Sequence, residues 1–308
     1  MQTIIIGGGG YLGFNLTKSF QNKHNVITVI SKENKNSIIR KSFENLKVKV
    51  VPEIQSLFEE KITKDSRIVY LGGYSCNDHK LADIDPMIRA YITGVTQALE
   101  LARKFEVPFY IAGSYWELVD VVSENSKINL YAEFQFAQNR ILNFFADKFQ
   151  IPVTKIYLAD IYGPADWRPK LIPKLLLGSK AGSTIDMGSP GQIIAPLYIE
   201  DTVGDFYDIL ATSDSNTSLV NYLQLKPDKI FTLGECIDLI KKTAKIEISI
   251  NWNTRIQLRS NIYEFPYRNF LYKNKKVRTN LEDGINSILT SLIRVNRPKV
   301  FTLQGQQE

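Results

Sequence analysis

The chain has 308 residues, 44% hydrophobic and 23% charged, which is the composition of an ordinary folded protein with room for one large α/β unit or two modest domains. Its 38 Lys and Arg against 32 Asp and Glu give a net charge of +6, spread along the chain. That suits phosphate-bearing small ligands and, without a nucleic-acid-binding motif, argues against DNA or RNA as a partner. Only two histidines (His24, His79) and two distant cysteines (Cys76, Cys236) are present, which argues against a metal site or a Ser-His-Asp hydrolase and for reduced thiols in a cytoplasmic protein.

The chain opens on a strand, Thr3–Ile6, with no signal peptide ahead of it, and no apolar run is long enough to span a membrane. Further strands are expected at Val26–Ile30, Val48–Val51, Arg67–Leu71, Phe109–Ala112 and Val153–Tyr157. Helical patterns fall between them, at 11–22, 54–61, 86–105 and 129–149. Asp85-Pro86 reads as an N-cap followed by proline at the first helical position. This alternation predicts a parallel sheet covered by helices. After about residue 165 the pattern loosens: a loop at 166–170, helices at 170–178 and 200–212, then shorter elements. We expect 1–165 to form the sheet domain and 166–308 most of a smaller second domain, with an approximate, interleaved boundary. Ligands should bind in the cleft at the carboxyl ends of the strands.

Between the first strand and first helix lies Gly7-Gly8-Gly9-Gly10-Tyr11-Leu12-Gly13, a G-x-x-G-x-x-G pattern on Gly7, Gly10 and Gly13. Glycine allows the tight turn and the close backbone approach to a pyrophosphate, and the helix N-terminus supplies N–H groups and a favourable dipole. The strand–loop–helix context predicts a doubly wound, Rossmann-type dinucleotide site. The second strand ends Ile30-Ser31-Lys32-Glu33, with Lys35 and Arg40 following. In NAD enzymes an acid at this strand end binds the ribose; Ser31 and Lys32 instead suit a 2′-phosphate. NADP(H) is therefore favoured over NAD(H), and the alternative leaves Lys32 solvated with Glu33 on the ribose.

With these motifs the chain resembles the extended short-chain dehydrogenase/reductases, especially the nucleotide-sugar epimerases, dehydratases and 4-keto-reductases. Beyond the glycine loop, the resemblance rests on Val69-Tyr70-Leu71-Gly72-Gly73, Asp85-Pro86 to Gly94, Phe109 to Ser114, Tyr131, Ile161-Tyr162-Gly163-Pro164, Tyr198-Ile199-Glu200-Asp201 and Thr279 to Ile285. The stretch Ala112 to Glu117, with Arg168-Pro169-Lys170, is most similar to enzymes of the CDP-paratose, abequose and tyvelose type.

The resemblance implies hydride transfer between nicotinamide and a sugar carbon. Tyr131 would be the proton donor or acceptor, Ser114 would hold the reacting oxygen, and position 135 would bind the nicotinamide ribose. It also implies cofactor contacts from Gly7, Gly10, Tyr11, Leu12, Gly13, Ser31, Lys32, Leu71, Gly72, Gly73, Tyr131, Gln135, Tyr157 and Ile161. Substrate contacts would come from Tyr74, Tyr115, Trp116, Arg168, Lys170 and Arg268, with Arg278 a weaker diphosphate candidate. Ser114 could instead be a strand-end cap, Tyr131 a packing aromatic, and Tyr115 and Trp116 packing under the second domain.

The family's lysine is replaced by Gln135, one helical turn after Tyr131. An amide can donate to a ribose hydroxyl but supplies no charge, so the tyrosine should keep a pKa near its ordinary value of about 10. Reduction needs the neutral phenol and oxidation the phenolate. The substitution therefore favours an NADPH-dependent keto reductase, acting at C4 of a nucleotide-linked deoxysugar, over an epimerase or dehydratase with retained NAD. Arg140 or Lys127 could compensate for the missing charge. Two other departures are Tyr91, where the family has an asparagine that orders a relay water, and Ile194-Ala195, where it has Arg-Asp. With Gln135 they keep open a non-catalytic, cofactor-binding protein. Helices 86–105 and 129–149 resemble the pair that forms the family's dimer interface, so a homodimer is expected.

Overall fold

The computed structural model describes residues 1–31, 37–76, 79–121, 129–180, 184–212, 219–252, 262, 264–269, 272 and 277–295. Lys32, Glu33, Lys35, Lys127 and the run 273–276 lie outside them. The first half alternates strands and helices as expected, with one helix, α2, that the sequence reading did not place: β1 (Gln2–Ile6), α1 (Tyr11–Phe20), β2 (Asn25–Val29), α2 (Ser37–Phe43), β3 (Lys49–Val51), β4 (Arg67–Tyr70), α3 (Leu81–Ile88), α4 (Gly94–Phe105), β5 (Phe109–Ser114), α5 (Leu130–Phe149) and β6 (Val153–Leu158). Then follow β7 (Asp160–Tyr162), α6 (Leu171–Lys180), β8 (Ile185–Met187), β9 (Ile193–Ile194), β10 (Pro196–Tyr198), α7 (Ile199–Thr212), β11 (Val220–Gln224), β12 (Phe231–Thr232), α8 (Leu233–Ala244), β13 (Ile250–Trp252) and α9 (Leu281–Val295).

Seven strands form one sheet in the order β11-β6-β5-β4-β1-β2-β3, and every pair in it is parallel. This is a Rossmann-type doubly wound sheet. Successive side chains of a strand face opposite sides. Ile5 accordingly joins a core with Leu12, Leu16 and Phe20 of α1 and Val203, Phe206 and Ile209 of α7. Ile4 and Ile6 join the opposite core, with Val95, Ala98 and Leu99 of α4 and Leu142, Phe145 and Ala146 of α5. A third core, around Leu175, Leu176, Ile237, Ile240 and Ile285, belongs to the later helices α6, α8 and α9.

Three local expectations need correction. The helix read as 86–105 starts earlier, at Leu81, because the Asp83 carboxylate accepts the Lys80 backbone N–H (2.7 Å) and caps the end one turn before Asp85. Pro86 is thus inside α3, where it removes a rung of the ladder. Residues Arg89–Thr93 then form a π-helical turn, with the Gly94 N–H donating to the Arg89 carbonyl, before α4 resumes. The segment read as helix 54–61 is a 3-10 helix, Ile54–Glu59. The seventh strand, β11, was not read from the sequence; it returns from beyond residue 166 to pair with β6, from Val220↔Val153 to Gln224↔Tyr157.

Candidate functional site

The glycine loop is built by contact rather than by flexibility. Gly7 has φ +97°, and a Cβ there would stand 2.7 Å from the Leu71 carbonyl carbon. A Cβ on Gly13 would stand 2.2 Å from the Gly7 oxygen, so α1 can lie this close to β1 only with glycine at that position. Gly10 caps α1 with no side chain, and the helix has no acidic residue in its first turn. The first helical bond runs from Phe14 N–H to Gly10 O, which leaves the amides of Tyr11, Leu12 and Gly13 at the start of the helix, as a pyrophosphate requires. Leu71 joins the loop's floor, its N–H donating to Ile6 O (2.7 Å), and Gly72 and Gly73 follow it. Ser31 is exposed at the end of β2, and the Arg40 guanidinium donates to its carbonyl (2.9 Å). Residues that fit a dinucleotide are therefore present along the whole strand edge.

Ser114 ends β5, in register with Leu158 of β6, and Tyr131 lies in the first turn of α5, whose N-terminus is capped by the Asn129 side chain. The two meet: the Tyr131 phenol interacts with the Ser114 hydroxyl and accepts a hydrogen bond from Gln135 Nε2 (3.1 Å). Gln135 is buried, and its Oε1 has no hydrogen-bond partner among the described residues. An orphaned acceptor beside the phenol fits a ribose hydroxyl, which would donate to it. Burial pushes the Tyr131 phenol above its ordinary pKa; the hydrogen bonds from Ser114 and Gln135 oppose this, and the Glu117 and Asp160 carboxylates add to it. The expectation of an ordinary tyrosine pKa is thus corrected upward. Arg140 is exposed rather than turned into this corner.

Beneath Gln135 lies a pair of charges that sequence reasoning missed. Lys155 of β6 and Glu117, in the 3-10 turn after β5, are both buried and 2.6 Å apart. The Lys155 ammonium also donates to the Gln135 backbone oxygen and to Asn139 Oδ1, each at 2.9 Å. Glu117 accepts the Ser114 N–H through its other oxygen (2.9 Å). Burial pushes the Glu117 carboxyl up and the Lys155 ammonium down, and their mutual attraction opposes both shifts. Removing one partner alone would cost roughly 3–5 kcal/mol. The one signal in the sequence was a lysine inside an apolar stretch that reads as a central strand, where a charge needs a partner.

Tyr91, at the family's asparagine position, is presented by the π-helical turn. Its ring meets Tyr131 edge-on at 5.8 Å between centroids. Its hydroxyl accepts from Tyr74 N–H (2.9 Å) and donates to Tyr74 O (2.8 Å). The Tyr74 hydroxyl is held by Asp83 (2.5 Å).

The remaining candidates separate into two groups. Tyr115 is buried, stacks on Phe265 and donates to Asp160 (3.0 Å), whose carboxylate also accepts the Ala195 N–H (2.9 Å). Trp116 packs edge-on against Tyr115. Tyr157 is buried and stacked on Tyr222. Arg168 is committed to Asp166 through two nitrogens, to Ile161 O and to the face of Tyr11. Arg278 forms a buried ion pair with Asp205 (2.6 Å) rather than facing the cleft. Lys170 and Arg268 are less enclosed: Lys170 is exposed and reaches Ser75 (3.2 Å), and Arg268 donates to the Leu118 carbonyl. Among the described residues no group of His, Cys, Asp and Glu could hold a metal ion, and no helix is long and apolar enough to cross a membrane.

A model of the NAD dependent epimerase/dehydratase family matches residues 3–221. A CDP-abequose synthase from Yersinia pseudotuberculosis is 22% identical over 281 residues, which cover 90% of this chain and 97% of that protein. Among solved structures, UDP-glucuronic acid 4-epimerase from Bacillus cereus, in complex with UDP-glucuronic acid and NAD, superposes with a TM-score of 0.76 at 13% identity. The match covers 96% of this chain and 100% of that one. The dTDP-glucose 4,6-dehydratase from Bacillus anthracis, in complex with NAD, gives a TM-score of 0.74 at 15% identity, with coverage of 96% and 97%.

Proposed function

Because the chain belongs to the NAD dependent epimerase/dehydratase family, we propose that it uses NADPH to reduce a keto group, at C4, of a nucleotide-linked deoxysugar. The observation that carries this reading is the state of Tyr131. Burial and two nearby carboxylates keep its phenol protonated, and an amide stands where a cation would be needed to ionise it. A protonated phenol is what ketone reduction requires and what alcohol oxidation must first remove. When bound, the nicotinamide supplies the hydride. Tyr131 gives its Oη proton to the oxygen that becomes the hydroxyl, Ser114 holds that oxygen, and Gln135 orients the phenol while its Oε1 takes a ribose hydroxyl.

Gly7, Gly10, Tyr11, Leu12 and Gly13 would hold the pyrophosphate, with Leu71, Gly72, Gly73, Tyr157 and Ile161 further along the cofactor. Ser31, with the Arg40 guanidinium on its carbonyl, suits the 2′-phosphate of NADP(H). In this reading the substrate domain is formed mostly by 166–308. Tyr74, Trp116, Arg168, Lys170 and Arg268 would surround the nucleotide sugar, the last two best disposed to meet its diphosphate, and Tyr115, buried against Phe265 and Asp160, would pack behind them. The name of the Yersinia relative supports a CDP-linked substrate. A cytoplasmic homodimer completes the proposal.

The test is NADPH oxidation by the purified protein against CDP-, dTDP-, UDP- and GDP-linked 4-keto-6-deoxysugars. Turnover with one base is expected. The NAD in the Bacillus complexes favours a second reading, an epimerase or dehydratase with retained NAD. It predicts NAD that co-purifies and no net NADPH oxidation. Tight NADPH binding without oxidation across the panel would instead support a non-catalytic cofactor-binding protein.

A further inference from the structure

We propose that Lys155 and Glu117 are positioning residues, a buried clamp that fixes Ser114 and Tyr131 against each other by tying the end of β5 to the first turns of α5. The geometry is a closed chain of contacts. The Ser114 N–H donates to Glu117, Glu117 meets Lys155 at 2.6 Å, and Lys155 donates to the Gln135 carbonyl and to Asn139 on the two turns after Tyr131. All three ammonium hydrogens find acceptors, and these acceptors come from two elements, the 3-10 turn after β5 and α5. The backbone is shaped to admit the pair: a Cβ on Gly113 would stand 2.6 Å from Glu117 Oε1 and 2.7 Å from Lys155 Cε.

A cation paired this closely adds no net charge to the corner, so the clamp orders the helix without ionising the phenol. The Tyr131 ring is faced by Glu117 from the 3-10 turn, Lys155 from β6 through Gln135, Asp160 from β7, Tyr91 from the π-helical turn and Tyr115 after β5. Of these, Glu117 holds the end of β5 and Lys155 holds the first turns of α5. With the clamp intact, the phenol is held beside Ser114. With it removed, α5 can move off the sheet and water reaches the phenol.

The proposal rests on Ser114 and Tyr131 being the proton-handling pair, but its test needs no substrate. Protein carrying 13C at the tyrosine Cζ is titrated by NMR without ligand, the Tyr131 signal being assigned by its loss in Tyr131→Phe. The double swap Lys155→Met with Glu117→Gln removes both charges with little change in volume. Because it admits water to the phenol, it should lower the ionisation of Tyr131 by about one pH unit or more towards the ordinary tyrosine value. A pair that serves stability alone would lower the melting temperature and leave the Tyr131 titration unmoved, and that result overturns the proposal. If the double swap does not fold, Asn139→Ala, which deletes one of the three acceptors, is titrated in the same way. A smaller shift in the same direction is expected, and no shift overturns the clamp. A protein that reduces no sugar nucleotide yet shows the shift would sink the reductase reading and leave the clamp standing.

Discussion

At the scale of the residue, Gln135 stands one helical turn after Tyr131, and its surroundings say what an amide does there. The amide donates to the phenol from 3.1 Å and carries no charge. Replacing it with lysine should bring an ammonium to the phenol and lower the pKa of Tyr131. The sign follows: reduction uses the protonated phenol, so the alkaline limb of the reduction profile should move down by about one unit for Gln135→Lys. Oxidation of the corresponding alcohol uses the phenolate and should speed up near pH 8. Parallel pH–rate profiles in the two directions check this. Profiles that do not move would mean that position 135 does not act on the phenol.

At the scale of the element, the ion pair between Asp205 of α7 and Arg278, just ahead of α9, sets a pH dependence. Burial pushes the Asp205 carboxyl up to about 6, with Arg278 pulling it the other way. In the unfolded chain it titrates near the usual value of about 4. Between about pH 4 and pH 6 the folded protein therefore binds more protons than the unfolded one, and stability falls through that window as pH rises. Denaturant unfolding from pH 4 to pH 7 should show this loss, and Asp205→Asn should flatten the slope while leaving Arg278 without its charged partner.

The elements also mark how far the sequence could be read. The first six strands of the sheet, α1, α5 and the glycine loop were legible because period, caps and turn residues are local signals. The start of α3 was misread because two carboxylates, Asp83 and Asp85, compete for the cap, and the proline beside the second is the stronger local cue. The Lys155–Glu117 pair was illegible because its partners lie 38 residues apart and meet only through the register of β5 and β6. Ser114, Tyr131 and Gln135 were found through the family resemblance and do come together. Arg278 was read as a diphosphate candidate on its charge alone, and a buried carboxylate claims it.

At the scale of the whole molecule, α5 leaves a row of aromatic side chains uncovered. Phe136 and Phe144 are each about half exposed, at 52% and 56%, and Ile88 on α3 is also uncovered. Single exposed apolar residues need no explanation, but two phenylalanines on one helix of a sheet protein mark a face suited to a second copy. We expect a dimer by sedimentation, and Phe136→Glu with Phe144→Glu should make it a monomer. A protein that sediments as a monomer before substitution would remove this reading.

The double hydrogen bond between Tyr91 and the backbone of Tyr74 has a further consequence for traffic through the cleft. A side chain that both takes from the N–H and gives to the C=O of one residue acts like a neighbouring strand, so this segment is in place before any ligand arrives. Its ordering falls on folding rather than on binding, and no part of a ligand's affinity is consumed in assembling it. A nicotinamide cofactor that must leave and be replaced after each turnover is better served by such a wall than by one that closes around it.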